Sequence, residues 1–496
     1  MAEFGFVGAS YTTRSIYQDD QECINFYPEI DPTKKPASSS RPADRGIVAL
    51  YPTPGLITEI ELPDAAEVRG MRCLSGQQYA IIVCGNSVYK VGLDLQYTLV
   101  GTLSSFRGPV SITDNQMTAE GLTAYIVDGE NRYYYEVTAD NFVRLPLTDG
   151  PWKGASVCDV IDNYVVYNEP DTQNWSSTDL GSPLSTQAWY GTKDGSPDNI
   201  VSMIVDHRQV YLLGEFTTEV WIDVGSQISG LLTFPFQRLS GTALQDGCGA
   251  PFSVARFSES FAFVSRDQLG TATIGIMKGY TYQRISTHAV ELSLQGFDIS
   301  DARAWSYQTQ GHEFYVVAFP TANLTWVFDL ATEQWHKWLY WDSKKATYER
   351  HRSNCGIVFA GKTLCGDWEN GKIYSVDFNS YEDDGNKIRR VRRCPHITTD
   401  LQRQYFEELQ LQFQPGVGLI SGQGDEPQAM LRWSNDGGST WSNEHWVSVG
   451  KMGKYLNRAI WRRLGWARDR IFEVVVTDPV KFVIVSANLK ASAGNN

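Results

Sequence analysis

The stretch Gly356-Ile357-Val358-Phe359-Ala360-Gly361-Lys362-Thr363 has the residue types of a phosphate-binding loop, where glycine amides cradle phosphate and a lysine neutralises it. That chemistry needs a strand, then an open loop, then a helix. Here the four residues between the glycines read as a strand themselves. The following Leu364-Cys365-Gly366-Asp367-Trp368-Glu369-Asn370-Gly371 is turn material, so no helix N-terminus is expected to face a phosphate. Ser434-Asn435-Asp436-Gly437-Gly438-Ser439-Thr440-Trp441 matches the Asp-box of sialidase hairpins. Its mechanics are structural: the aspartate caps turn amides, glycine permits positive φ, and tryptophan packs beneath. A sialidase is expected to repeat the box once per blade, and this chain has one. Glycan hydrolysis also needs two positioned acidic or tyrosine groups, and 57 Asp and Glu nominate no pair.

Gly311-His312-Glu313-Phe314-Tyr315 opens like a zinc-protease helix, but Val316 stands where the second histidine belongs, and the surroundings read as strand. The seven histidines are dispersed, and Cys355/Cys365 and Cys73/Cys84 lack metal-ligand spacing. Gly416-Val417-Gly418-Leu419-Ile420-Ser421 lacks the last glycine of a dinucleotide fingerprint, and no Gly-x-Ser-x-Gly elbow occurs. The sequence therefore nominates no catalytic, cofactor-binding or metal-binding residue, and the expectation is a non-enzyme.

Basic residues form the remaining candidates. Arg389, Arg390, Arg392 and Arg393 alternate around Val391, which places them on both faces of a strand. Arg458, Arg462 and Arg463, with Arg468 and Arg470, lie among Trp461 and Trp466. These groups suit an edge strand guarded by charge and salt-bridged to acids, a contact with an acidic neighbouring subunit, or a direct grip on DNA. Arg389, Arg390, Arg392, Arg393, Arg458, Arg462 and Arg463 are the interface candidates.

The elements that must position these residues are strands. Tyr79 to Val83 and Ser87 to Val91 flank a Cys84-Gly85-Asn86 turn, and Thr123 to Val127 and Tyr133 to Val137 repeat the plan around Asp128-Gly129. Asn163 to Tyr167, Gln209 to Leu213, Ser260 to Val264, Phe314 to Ala318, Thr325 to Asp329 and Lys372 to Val376 continue it. The units recur about every 40–55 residues, the spacing of four-stranded propeller blades. The repeats do not fix a blade number, and a large β-sandwich is the competing architecture. The prolines and Ser38-Ser39-Ser40 of residues 30–46 read as a linker or extended arm, and a charge shift near 385–395 marks a boundary. The expected organisation is all-β: an N-terminal arm and linker over 1–60, a propeller over 61–385, and a smaller C-terminal β-domain over 386–496.

With 496 residues, 42% apolar and 20% charged, the chain can bury a sizeable core, and disorder is a poor reading. A net charge of −14 is the wrong sign for a protein that grips nucleic acid with its whole surface. The excess is uneven: residues 1–386 carry 27 basic and 47 acidic side chains, residues 387–481 carry 15 and 10. Only the C-terminal fifth offers a basic docking face. No signal peptide or membrane span is read, and eight scattered cysteines fit free thiols made in a reducing cytosol.

The sequence resembles the packaged-DNA-stabilisation, or tail nozzle (tail hub), proteins of short-tailed bacteriophages (podoviruses), and the resemblance covers nearly the whole chain. It is carried by Cys23-Ile24-Asn25-Phe26-Tyr27-Pro28-Glu29, Tyr51-Pro52-Thr53-Pro54-Gly55-Leu56, Gly214 to Trp221, Arg284 to Glu291 and Gly311 to Asn323. Leu431 to Gly438 and Leu464 to Arg470 are the most telling stretches. The resemblance implies a virion protein of the short tail, synthesised in the bacterial host cytoplasm. It implies a hexameric ring below the portal and its adaptor that plugs the exit, retains packaged double-stranded DNA and conducts it at ejection without sequence-specific binding. A needle, fibre or tailspike is the implied distal partner, with no cofactor and no stable membrane insertion. The alternative is a propeller that binds or hydrolyses host surface glycan.

Overall fold

The computed structural model describes residues 2–30, 47–117, 121–225, 227–228, 231–242, 244–266 and 270–494. Half of the chain, 51%, is strand and 2% is helix. Seven four-stranded antiparallel blades follow one another over 68–102, 111–144, 158–192, 200–238, 255–284 and 303–337, with the seventh built from 353–377 and the N-terminal strand Gly55–Glu61. The first strand of each blade is innermost, and these strands stand side by side around one axis.

The middle strands explain why alternation is weak in the sequence. All of Thr123–Val127 and all of Tyr164–Asn168 are buried, because each blade is sandwiched between two others and both faces must be apolar. Aromatic wedges fill the angle between blades: the wholly buried Trp175 meets Trp221, Phe234 and Phe236 at ring separations of 5.3, 5.1 and 5.1 Å. Buried arginines staple the loops between blades. Arg69 donates to the carbonyls of Gly85, Ser105, Gly108 and Arg107, and Arg132 pairs with Asp149 at 3.2 Å.

Gly55–Glu61 runs antiparallel to Lys372–Asp377 as the outer strand of blade seven, so the chain's start closes the ring against its last blade. The rest of the N-terminal region joins the C-terminal β-sandwich. One sheet holds Phe26–Ile30, Ile47–Pro52, Ile484–Ala493, Gln404–Phe413 and Ala459–Arg462, with Ala2–Phe4 beside Ile484–Ala493. The other holds Asp20–Ile24, Arg390–Arg393, Asp469–Val476, Gln428–Ser434 and His445–Ser448. Phe406, Leu409, Leu431, Phe472, Val474 and Phe482 lie in the core between them. Ile24 pairs in parallel with Lys337 of blade six, which makes that blade and this sheet one eleven-stranded surface.

The boundaries expected from the sequence therefore cut across strand pairings. Residues 2–30 and 47–60 form no free arm. Tyr27 faces Tyr51 in an antiparallel pair, so the proline- and serine-rich stretch lies between two paired strands and does not separate two bodies. Of that stretch, 31–46 lie outside the described residues.

Candidate interface surfaces

The first basic cluster is turned inward. Arg390–Arg393 is a central strand of the sandwich, hydrogen-bonded to Asp20–Ile24 on one side and Asp469–Val476 on the other. Arg390 and Arg392 are wholly buried. The Arg392 guanidinium donates to the backbone oxygens of Phe6, Ala9 and Glu22 and to Oε1 of Gln21. Arg390 donates to the carbonyls of Asp478 and Tyr381. Arg393 pairs with Asp20 at 2.6 Å and Glu473 at 2.9 Å, and its guanidinium lies 4.8 Å from the Trp441 ring centre. Arg389 stacks on Trp341 and donates to the Tyr348 hydroxyl at 2.8 Å. The alternation around Val391 is present, but what it serves lies within the chain.

The second cluster faces outward. Arg458, Arg462 and Arg463 are exposed. Arg462 pairs with Glu408 at 2.8 Å, while Arg458 and Arg463 make no side-chain hydrogen bond or ion pair among the described residues. The residues that composition did not single out lie beside them. Met452, Tyr455 and Leu456 stand exposed on the connection between His445–Ser448 and Ala459–Arg462, and Trp446 stands exposed on the first of those strands. The available signal was Lys451-Met452-Gly453-Lys454-Tyr455-Leu456, where large apolar residues interrupt a turn composition that is otherwise polar.

The propeller axis holds a cavity of about 300 Å³ lined by inner-strand residues of all seven blades, among them Arg72, Ser111, Asp159, Ser202, Arg256 and Gly356. Asp159 accepts from the Val205 amide at 2.8 Å and pairs with Arg256 at 3.2 Å. That volume is small-molecule scale, far short of duplex DNA, whose major groove alone is about 12 Å wide.

The motif-like stretches have structural roles. Ser353–Phe359 and Lys362–Asp367 form an antiparallel hairpin about Ala360 and Gly361, both at positive φ (50° and 72°). A Cβ on Gly356 would sit 2.3 Å from the Trp305 ring, so this glycine makes room for blade six and not for phosphate. In the Asp-box hairpin Asp436 accepts from the Thr440 amide and hydroxyl and from Ser434 Oγ, and these hydrogen bonds draw its carboxyl down to about 2. His312 lies in a strand and bridges Asp329 (2.8 Å) and Glu29 (3.0 Å); hydrogen bonding to Asp329 raises its pKa. All eight cysteines are free, and burial pushes thiols such as Cys158 and Cys394 up to about 12, away from the nucleophilic thiolate. Among the described residues no group of three or more His, Cys, Asp or Glu is arranged to hold a metal ion.

A family model described as Bacteriophage P22 Gp10, beta-propeller matches residues 48–381, and one described as Bacteriophage P22 Gp10, beta-sandwich matches residues 389–492. The chain is 21% identical over 428 residues to the tail hub protein gp10 of Salmonella phage P22, covering 83% of this chain and 85% of that protein. Among solved structures, the N-terminal domain of Nup159 aligns with a TM-score of 0.38 at 11% identity, covering 66% of this chain and 94% of that one. An S. cerevisiae complex containing Dbp5, Nup159 and Gle1 aligns at 0.39 and 10%, covering 66% and 95%. The fold assignment stands on the strand pairing and not on these two alignments.

Proposed function

The chain belongs to the bacteriophage P22 Gp10 family, and from that premise we propose that six copies form the nozzle ring of a short tail, closing the DNA exit, retaining the packaged genome and conducting it at ejection. That it is a structural protein of the bacteriophage tail, a virion component, rests on its similarity to the P22 tail hub. The observation that carries the fuller reading is the order and extent of the match: propeller then sandwich, from residue 48 to residue 492.

The physics supports it. The propeller axis is too narrow for DNA, so the duplex runs beside the subunits, along the axis of a ring. A closed ring uses heterologous contacts, each subunit giving one face and receiving another. An acidic chain lets phosphate pass without sticking, which suits a conduit better than a clamp. Blade six and the sandwich share one sheet, so load on one part is borne by both. The role asks for no catalytic residue and no cofactor, and the nucleotide- and sialidase-like stretches are spent on hairpins. The portal-adaptor above and a needle, fibre or tailspike below are the proposed partners, without stable membrane insertion.

The test is DNA retention in particles lacking this protein, with and without the purified chain added back. Filled heads that leak, and that regain retention and infectivity on addition, are the expected result. Heads that keep their DNA while adsorption or capsule clearing is lost would move the role to glycan binding or hydrolysis.

A further inference from the structure

One flank of the sandwich leaves two sheet edges and several large apolar side chains exposed. Both sheets end there. His445–Ser448 pairs with Gln428–Ser434 on one side only, Ala459–Arg462 pairs with Gln404–Phe413 on one side only, and the two end strands are neighbours. Soluble proteins shorten, bulge or cover such edges, because open amides and carbonyls recruit other chains. The connection between the two strands presents Leu456, 96% exposed, beside Tyr455 and Met452, and the facing loop presents Ile420, 89% exposed. Gly416 lies under the Tyr455 ring so closely that a Cβ there would stand 2.6 Å from it, and Gly418 abuts the Met452 amide. An exposed apolar patch of this kind marks a contact surface. Around it Lys454 and Arg458 have no ion-pair partner among the described residues, and Lys451 pairs with Glu426 of the facing loop.

We infer that this flank is the subunit contact of the ring and that its occupant is a second copy of this chain, presenting its acidic propeller side. The inference rests on the ring reading and deepens it. Charge favours this occupant: Lys454 and Arg458 have no acidic partner beside the patch among the described residues, while residues 1–386 of a neighbouring copy carry 47 acidic against 27 basic side chains. Topology agrees, since a heterologous contact needs two unlike faces on one chain. DNA would engage the arginines but would leave Leu456 and Ile420 in water, since such interfaces are polar and wet.

A photo-crosslinking amino acid placed at Leu456 in assembled phage particles tests this, with the exposed propeller residue Leu147 as control. The expected product is a dimer of this chain joined from position 456 to a peptide within residues 1–386. A product joined to a different virion protein or to lipid, or no product in particles that hold the ring, overturns the assignment. Electron microscopy of the same particles separates the two levels. A ring without the dimer refutes the flank alone, and particles holding the chain without a ring refute the ring reading and the flank with it. The paired substitution Tyr455→Asp and Leu456→Asp provides a second measure. The purified variant should melt as the parent does, because both side chains are exposed, while its incorporation into particles should fall at least tenfold. Unchanged incorporation overturns the inference.

Discussion

Ile24 stands opposite Lys337 in a parallel pair, and through that pair the sixth propeller blade and one sheet of the sandwich are a single sheet. The next residue locks the join. Asn25 is wholly buried at φ 56°, a left-handed conformation that asparagine tolerates. Its amide donates to the carbonyls of Leu339 (2.9 Å) and Arg389 (3.0 Å) and accepts from the Leu339 amide (2.8 Å). One side chain thus ties the N-terminal region, the hairpin of Leu339–Asp342 and Thr347–Arg350 that follows blade six, and the entry to the sandwich.

Asn25→Ala should strand those three backbone groups and cost about 3 kcal/mol or more, at about 1–3 kcal/mol per orphaned buried group. Calorimetry should show the joint melting of propeller and sandwich resolve into two transitions. A single transition with an unchanged midpoint refutes the clamp.

Arg392→Met should release the N-terminal segment, because that guanidinium holds the carbonyls of Phe6, Ala9 and Glu22. Limited proteolysis should cut first within residues 5–19 of the variant, while Arg458→Met, at an exposed position, leaves the digestion pattern unchanged.

Asp383 gives the join a pH dependence. Burial raises its carboxyl from 3.8 to about 7, against the pull of Arg390 and Arg352. The folded value lies above the unfolded one, so the folded state binds the extra proton. The group's contribution is fully present below about pH 4 and is lost as pH rises through 7, on the order of a few kcal/mol in all. Denaturant titrations from pH 4 to 8 should show this decline in the parent relative to Asp383→Asn, in which that component is flat.

Lys362→Ala tests the phosphate-loop look-alike. Lys362 pairs with Glu59 at 2.7 Å across an exposed sheet surface, so its loss should cost at most about 1 kcal/mol. Calorimetric titration with ATP should give no saturable heat for either the parent or the variant.

Much of the propeller was legible because turn residues punctuate strands at a steady period, and every strand quoted from the sequence as propeller lies in a blade. The blade number was not, because blade seven borrows Gly55–Glu61 from some 300 residues upstream and local pattern does not encode such a pairing. The N-terminal region misled for the same reason: Ala2–Phe4 reads as a tail and pairs with Leu489, Asn488 and Ala487. Among the arginines, alternation could not tell a guarded edge from a central strand. Arg390 and Arg392 are buried because segments distant in sequence, with the carbonyls of Phe6, Ala9 and Asp478, close over them, whereas Arg458 and Arg463 are exposed because no described residue covers that flank.

The closure of blade seven by the N-terminal strand sets a schedule for synthesis. At about 5–20 residues per second, Gly55–Glu61 waits roughly 15–60 s for Lys372–Asp377 to leave the ribosome, and Ala2–Phe4 waits longer still, for Ile484–Ala493. A nascent or prematurely terminated chain therefore has an unclosed seventh blade and an unpaired first strand. Completeness of translation is thus read out as completeness of fold, and a truncated product lacks the finished body that a neighbour could accept.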